Sequence, residues 1–339
     1  MHTHTMMTCE ALTSLPEYNE LDNQRQQILL MATLLHDIGK TVTTTMVDGE
    51  WQSPHHSTTG SRMAREWLWK KCGLCGEKEK VQVREAICLL IRYHSLPPHI
   101  IDLDDARLRL HRMAANSILT PFFSIKMLCL LCKADMLGRQ CDDQQQMLDQ
   151  IALCEEMAKE ENCWESCFPH PSCHTRRMFL SGHDVWKEQE LYDETWGEVV
   201  MLSGLPGTGK DTWICHNLPD LPVISLDNIR YSLKISPTDN QGTVANIARE
   251  QAKEYLRKHQ SFVWNATNIT VQMRESLISL FETYHAHVRI VYLETKWETM
   301  LERNSSREEM VPVHAIEEML AKLTLPEAWE ARNVEWICG

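Results

Sequence analysis

Apolar residues recur at helical spacing through most of the first 160 positions. Ile28, Leu29, Met31, Leu34 and Leu35 place one apolar face on a helix over 25–35. The same period predicts helices over 62–71, 83–93, 122–137 and 146–159. Almost nothing in this stretch alternates with a strand period, so an all-α domain is expected over 1–160.

The texture then changes twice. Residues 161–195 include the Pro- and Cys-rich CFPHPSCHTRR, lack periodicity, and read as a connecting segment. From 196 to 339, strand-like runs alternate with helical ones. EVVMLS, LPVISLD, SFVWNATN and VRIVYLE are the strands. The stretch after GLPGTGK, TVANIAREQAKEYLRKH and MRESLISLFETYHAH are the helices. That alternation predicts an α/β domain on a parallel sheet. No internal repeat is present.

Composition narrows the classes. Of 339 residues, 34 are Lys or Arg and 47 Asp or Glu, a net charge of -13. Residues 1–160 carry 17 basic side chains against 21 acidic, and 161–339 carry 17 against 26, so neither half offers a broad basic field for duplex tracking. No apolar run approaches the ~18–20 residues of a membrane span, and MHTHTMMTCE has no signal-peptide pattern. With 13 Cys, an odd number, a reduced, cytoplasmic protein is expected. Cys129 and Cys132 sit in an apolar run and read as small hydrophobes. Cys163, Cys167, Cys173 and His174 match no standard zinc spacing and read as incidental.

GLPGTGK follows an apolar strand and opens a helix, which is the context a P-loop requires. Gly204, Gly207 and Gly209 let backbone N–H groups turn inward, with Thr208 in the same loop, and the helix N-terminus favours polyphosphate. Lys210 reaches the β- and γ-phosphates. The position after Lys210 normally holds Ser or Thr on Mg²⁺; here it is Asp211, with Thr212 one later. Either Asp211 or Thr212 suits a hard cation. Asp227 in SLDNIR follows the second strand and can accept a proton from an attacking hydroxyl. As an alternative, it caps the next helix. Arg230, one turn on, can hold an acceptor phosphate. Arg303 and Arg307, four apart in ERNSSR, are expected on one face of a helix or lid, neutralising transferred phosphoryl charge.

P-loop, D-x-x-R, a strand ending in NATN, and RNxxR before VPVHAIEEML together resemble the 5′-hydroxyl polynucleotide kinases over about residues 197–339. The resemblance implies that Lys210 binds donor phosphates, Asp227 is general base, Arg230 holds the acceptor phosphate, and Arg303 and Arg307 clamp the donor. Asn265 stands where relatives often carry Asp.

In the first half, His36 and Asp37 lie side by side in LLHDIGK; adjacent ligands bind one ion, or the Asp bridges two. The chain adds His4 in MHTHTMM, His56 in HHSTTG, His94 in IRYHSLPP and Asp135 in CKADMLGR. His2 and His55 are alternatives to His4 and His56. A further pair, His183 and Asp184, reads as incidental. The order of these residues on a helical scaffold resembles the HD phosphohydrolase superfamily over about residues 1–160. It implies that His4, His36, Asp37 and Asp135 hold one metal, that His56 and His94 help hold a second, and that Lys40 neutralises the leaving phosphate.

An HD phosphohydrolase joined to such a kinase resembles the bacterial HD-Pnk enzymes of RNA repair. That resemblance implies an NTP (ATP) and Mg²⁺ or Mn²⁺ in the kinase site. In the HD site it implies one or two ions of Mn, Ni, Co, Fe or Zn. It also implies RNA ends as substrate, with DNA ends as an alternative, and a functional link to a nucleic-acid ligase. The activities implied are 5′-OH phosphorylation and removal of 2′,3′-cyclic phosphate or 2′-phosphate. The competing readings are a small-molecule or nucleoside kinase fused to a nucleotide phosphohydrolase, and a nucleotide-sensing regulator.

Overall fold

Side-chain caps fix where several helices begin. Asp22, Ser124, Ser172, Ser225 and Thr270 each accept a hydrogen bond from the backbone N–H three residues on, satisfying a donor that the first helical turn leaves unpaired. The structure, a computed structural model, describes residues 2–235, 241–307 and 310–339. It divides into two units, Met1–Pro169 and His170–Gly339.

The first unit is helical, with one small exception. It runs α1 (His2–Ser14), α2 (Pro16–Asn19), α3 (Asn23–Leu35) and α4 (Lys40–Thr43). A hairpin of β1 (Thr45–Val47) and β2 (Glu50–Gln52) follows. Then come α5 (His56–Lys70), α6 (Lys78–Tyr93), α7 (Ala106–Ala115), α8 (Ile125–Leu137) and α9 (Gln144–Glu160). The hairpin is short and fully exposed, which is why no alternating pattern announced it. The core centres on α3, α6 and α8, with Leu29, Leu90, Leu128 and Leu131 almost inaccessible. Helix α8 is apolar on nearly every face because it is enclosed on nearly every face. Cys129 and Cys132 lie buried in it; a hydrogen bond with Cys154 and burial raise the Cys129 thiol, and burial raises that of Cys132, so both stay protonated. A buried ion cluster joins α5 to α6. Arg65 grips Glu85 through Nε and Nη2, and Arg84 donates to the same carboxylate at 2.8 Å.

The second unit is α/β. In order it carries α10 (Cys173–Leu180), β3 (Gly197–Ser203), α11 (Lys210–Asn217), β4 (Val223–Ser225), α12 (Leu226–Leu233), α13 (Gln241–Arg257), β5 (Phe262–Asn265), α14 (Val271–Thr283), β6 (Ala286–Glu294), α15 (Trp297–Ser305), α16 (Val313–Lys322) and β7 (Asn333–Cys338). The sheet order is β4-β5-β3-β6-β7, every pair parallel. Central β3 is apolar at consecutive positions because both faces are covered. Val199 and Met201 join one cluster, Val200 and Leu202 the other. Strand β7 is half-exposed and carries Glu335 against Arg289 of β6, so its sequence lacks the apolar run that marks the other strands.

The expected connecting segment, 161–195, is not free chain. Cys163 is buried in the core of the first unit, and the Cys167 N–H bonds to Ser117 Oγ. From His170 onward the chain belongs to the second unit. Arg177 of α10 grips Glu282 with two nitrogens and donates to the Trp329 carbonyl. Cys163 and Cys167 pack in the first unit, whereas Pro169, Pro171 and Cys173 are exposed, a mixture that leaves no periodic signature.

Candidate functional site

The first unit gathers its histidines around one carboxylate. Asp37 follows the end of α3, and its two oxygens face opposite ways. Oδ2 lies 3.6 Å from His4 Nε2 and 3.4 Å from His36 Nε2. Oδ1 lies 3.7 Å from His56 Nε2 and 3.8 Å from His94 Nε2. His4, His36 and Asp37 form one metal-sized group, and Asp37, His56 and His94 form a second. Asp135 of α8 completes the first side, with Oδ1 2.9 Å from His4 and 3.4 Å from His36. His2 and His55, the alternatives by sequence, lie outside both groups.

Each ring is oriented by the backbone. The Nδ1 of His4, His36, His56 and His94 meets the carbonyl of Gly138, Thr33, Ser53 and Ile91 respectively, at 2.6 to 3.1 Å. An Nδ1–H donated to a carbonyl leaves the Nε2 lone pair free, which fixes the tautomer a metal ligand needs. His4 Nε2, His36 Nε2 and Asp37 Oδ1 are buried with no hydrogen-bond partner. The 2.9 Å approach of His4 to Asp135 is therefore lone pair against lone pair, an arrangement that a cation between them relieves. The donor set of imidazole nitrogens and carboxylates fits a divalent transition metal.

The same charge balance appears in the proton affinities. Burial pushes His36 down, but the Asp135 and Asp37 carboxylates beside Nε2 outweigh that and lift it to about 9, so a proton competes with a cation for that nitrogen. Burial lowers His94 to about 4, helped by the nearby His36, and lowers His56. Burial works to raise Asp37 and Asp135, yet His36 and, for Asp37, Lys40 hold both well below the usual carboxylate range.

Close backbone approaches bring these elements together. A Cβ on Gly39 would stand 2.0 Å from the His56 carbonyl, so the turn after Asp37 can meet α5 only without a side chain. A Cβ on Gly138 would stand 2.6 Å from Thr8 Oγ1, where α1 crosses the end of α8 and delivers His4 to Asp135. Two supports were not read from the sequence. Arg139 pairs with Asp135 at 2.5 Å, and the Cys132 thiol donates to the His94 carbonyl at 2.9 Å. Arg139 lies two residues past the end of α8, so no helical spacing signals the first, and nothing local signals the second. Lys40 Nζ sits 2.7 Å from Asp37 Oδ2, beside the metal-sized groups.

In the second unit, the P-loop lies at the C-terminal end of β3 and leads into α11. Gly204 has φ +142°, and a Cβ there would stand 2.5 Å from the Leu293 carbonyl. Lys210 Nζ donates to the carbonyls of Gly204 and Leu205, both at 2.9 Å, and burial pulls its pKa down to about 8 against the nearby Asp211 and Asp227. Beside the loop is a cavity of about 370 Å³ lined in part by Thr208, Gly209, Thr212, Trp213 and Arg303. The glycine cradle and the lysine fit the phosphates of a nucleotide with their Mg²⁺, and the cavity beside them is open to the rest of that ligand.

Asp227 sits in the first turn of α12, while Ser225 caps the helix, so capping does not account for Asp227. Arg230 Nη1 pairs with Asp227 Oδ1 at 2.5 Å, and Arg307 Nη2 lies 3.7 Å from Oδ2. Of the two settings expected for Arg303 and Arg307, a helix face or a lid, the shared helix face is not found. Helix α15 ends at Ser305, so Arg303 points to the cavity and Arg307 to Asp227. Asn304 between them is buried and bonds both backbone groups of Val311, which fixes the chain end of the helix. Asn265 donates to Asp211 Oδ1 at 2.7 Å. Asn268, the last residue of NATN, is structural: buried, it donates to the Leu202 carbonyl.

Residues 1–119 match the family model described as the HD domain, and residues 199–326 match the one described as an AAA domain. The chain thus joins an HD phosphohydrolase domain to a P-loop kinase-like domain. Among the described residues no helix is long and apolar enough to cross a membrane.

Proposed function

We propose that the chain is a bifunctional nucleic-acid end-healing enzyme. One unit removes 2′,3′-cyclic phosphate or 2′-phosphate from RNA ends; the other phosphorylates 5′-OH ends from an NTP. The pairing has a chemical logic: many RNA breaks leave a 2′,3′-cyclic phosphate and a 5′-OH, whereas ligation needs a 3′-OH and a 5′-phosphate.

The observation that carries the kinase reading is the setting of Asp227 between Arg230 and Arg307. A carboxylate that takes the proton of an attacking hydroxyl needs no guanidinium partner when its acceptor is neutral. Two guanidiniums beside it suit an acceptor that brings its own phosphate, as the second nucleotide of a 5′-OH strand does. Lys210 and Arg303 flank the donor side, where they neutralise transferred charge.

In the HD unit, His4, His36, Asp37 and Asp135 would hold one ion and His56, His94 and Asp37 a second. The chemistry supplied by bound divalent ions is polarisation of a phosphoryl oxygen and activation of water at neutral pH. Lys40, held by Asp37, lies where it can neutralise the departing phosphate. Binding through ends alone suits a chain with net charge -13. It should weaken only mildly with salt, because few phosphates are contacted. Phosphate transfer from labelled ATP to a 5′-OH RNA oligonucleotide tests the proposal; transfer to a nucleoside but not to RNA would favour the small-molecule kinase instead.

A further inference from the structure

The P-loop consensus puts a hydroxyl after its lysine and leaves the carboxylate near Mg²⁺ to the sheet. In this chain the two chemistries have changed places. The carboxylate, Asp211, opens α11, and the strand end offers an amide, Asn265. Asn265 is 8% exposed, and its Nδ2 donates to Asp211 Oδ1 at 2.7 Å. An aspartate at 265 would set two carboxylates at hydrogen-bond distance, where like charges oppose joint ionisation. An amide there gives the Asp211 carboxylate a donor in place of a repelling charge.

We infer that Asp211 is the protein's carboxylate ligand for the Mg²⁺ of the bound nucleotide, and that Asn265 positions it. The inference rests on the P-loop kinase class and not on the identity of the acceptor. Position separates Asp211 from Thr212. The bond to Asn265 holds Asp211 at the C-terminal end of β5, where a nucleotide's metal meets the sheet. Thr212 faces the cavity shared with Trp213, His216 and Asn217. The surroundings of Asp211 also suit an anion, since it lies in the first turn of α11 next to Lys210. Alone, however, a carboxylate beside a triphosphate repels it. Nucleotide binding in this chain should therefore depend on Mg²⁺ more steeply than in a P-loop with a neutral hydroxyl.

Calorimetric titration of ATP into the full chain, in EDTA and in Mg²⁺, tests this, with the signal surviving Lys210→Ala subtracted as background. Asp211→Ser should cut the tightening caused by Mg²⁺ by about tenfold or more, while ATP binding in EDTA holds or improves. Asp211→Asn, which keeps the shape, should show the same loss. Thr212→Val should keep the Mg²⁺ effect. Asn265→Asp alone should weaken ATP binding in EDTA, and the exchange Asp211→Ser with Asn265→Asp should recover most of the Mg²⁺ effect. The inference is overturned if Asp211→Asn retains the full Mg²⁺ effect, if Thr212→Val abolishes it, or if the double exchange does no better than Asp211→Ser. Absence of any ATP binding by the unaltered chain would overturn the kinase reading along with it.

Discussion

His56 and His94 meet Nε2 to Nε2 at 3.4 Å, with each ring's Nδ1 already committed to a carbonyl. Two lone pairs held that close are costly unless a cation or a proton sits between them, and Asp37 Oδ1 faces both. His94→Ala or His56→Ala should therefore remove one ion from the centre while His4, His36 and Asp135 keep the other. Metal content by mass spectrometry should fall by about half, and phosphohydrolase activity should drop by about a hundredfold or more. A variant that keeps its full metal content contradicts the two-group geometry.

Gly39→Ala should damage the centre without touching a ligand. The added methyl meets the His56 carbonyl, which is backbone and cannot swing aside. The cost should be roughly 1–3 kcal/mol of stability, with loss of metal from the His56 side. Thermal melts with and without metal, alongside metal content, measure both effects.

The buried Arg65–Glu85–Arg84 cluster sets an acid limit for the first unit. Burial works to raise Glu85, but the charges of Arg65 and Arg84 outweigh it and hold the carboxyl below its ordinary value. The native state thus binds fewer protons than the unfolded one. Its stabilisation is complete above the unfolded carboxyl value of about 4.3 and is lost as pH falls through the lowered native value. Glu85→Gln leaves two buried guanidiniums without their anion and should cost about 3–5 kcal/mol near neutral pH. It should also flatten the fall of melting temperature with acid. An unchanged acid slope in the variant would show that Glu85 does not govern it.

Arg303 and Arg307 should separate kinetically. Arg303 lines the donor cavity, so Arg303→Ala should raise KM for the NTP. Arg307 and Arg230 face Asp227, so Arg307→Ala or Arg230→Ala should raise KM for the acceptor strand. Losses of about tenfold are expected for each removed charge-assisted contact. Steady-state kinetics with each substrate varied in turn distinguishes the two effects, and a shared effect on NTP alone would put all three on the donor side.

Much of the fold was legible because the apolar period is strong where helices and strands face a core, as in α3, α8 and β3. The hairpin before His55, strand β7 and helix α10 were not, because each is short or half-exposed and carries no such period. The residues that gather into the two metal-sized groups were legible as HD plus scattered His and Asp. What no linear pattern conveys is the carbonyl that orients each ring and the Gly39 approach that joins two distant segments. Arg303 and Arg307 do not share a helix face because a spacing of four means one face only while the helix continues, and α15 stops at Ser305.

On the proposed function, one chain holds two independent sites acting on the two ends of a broken RNA. The measurement is a paired assay on RNA bearing a 2′,3′-cyclic phosphate and a 5′-OH, with ATP and divalent metal present. Lys210→Ala or Asp227→Ala should abolish 5′ phosphorylation and spare loss of the cyclic phosphate, while His36→Ala or Asp37→Ala should do the reverse. If any one of these substitutions silences both reactions in a folded protein, or if the unaltered chain processes neither end, the chain does not carry two independent end-healing sites.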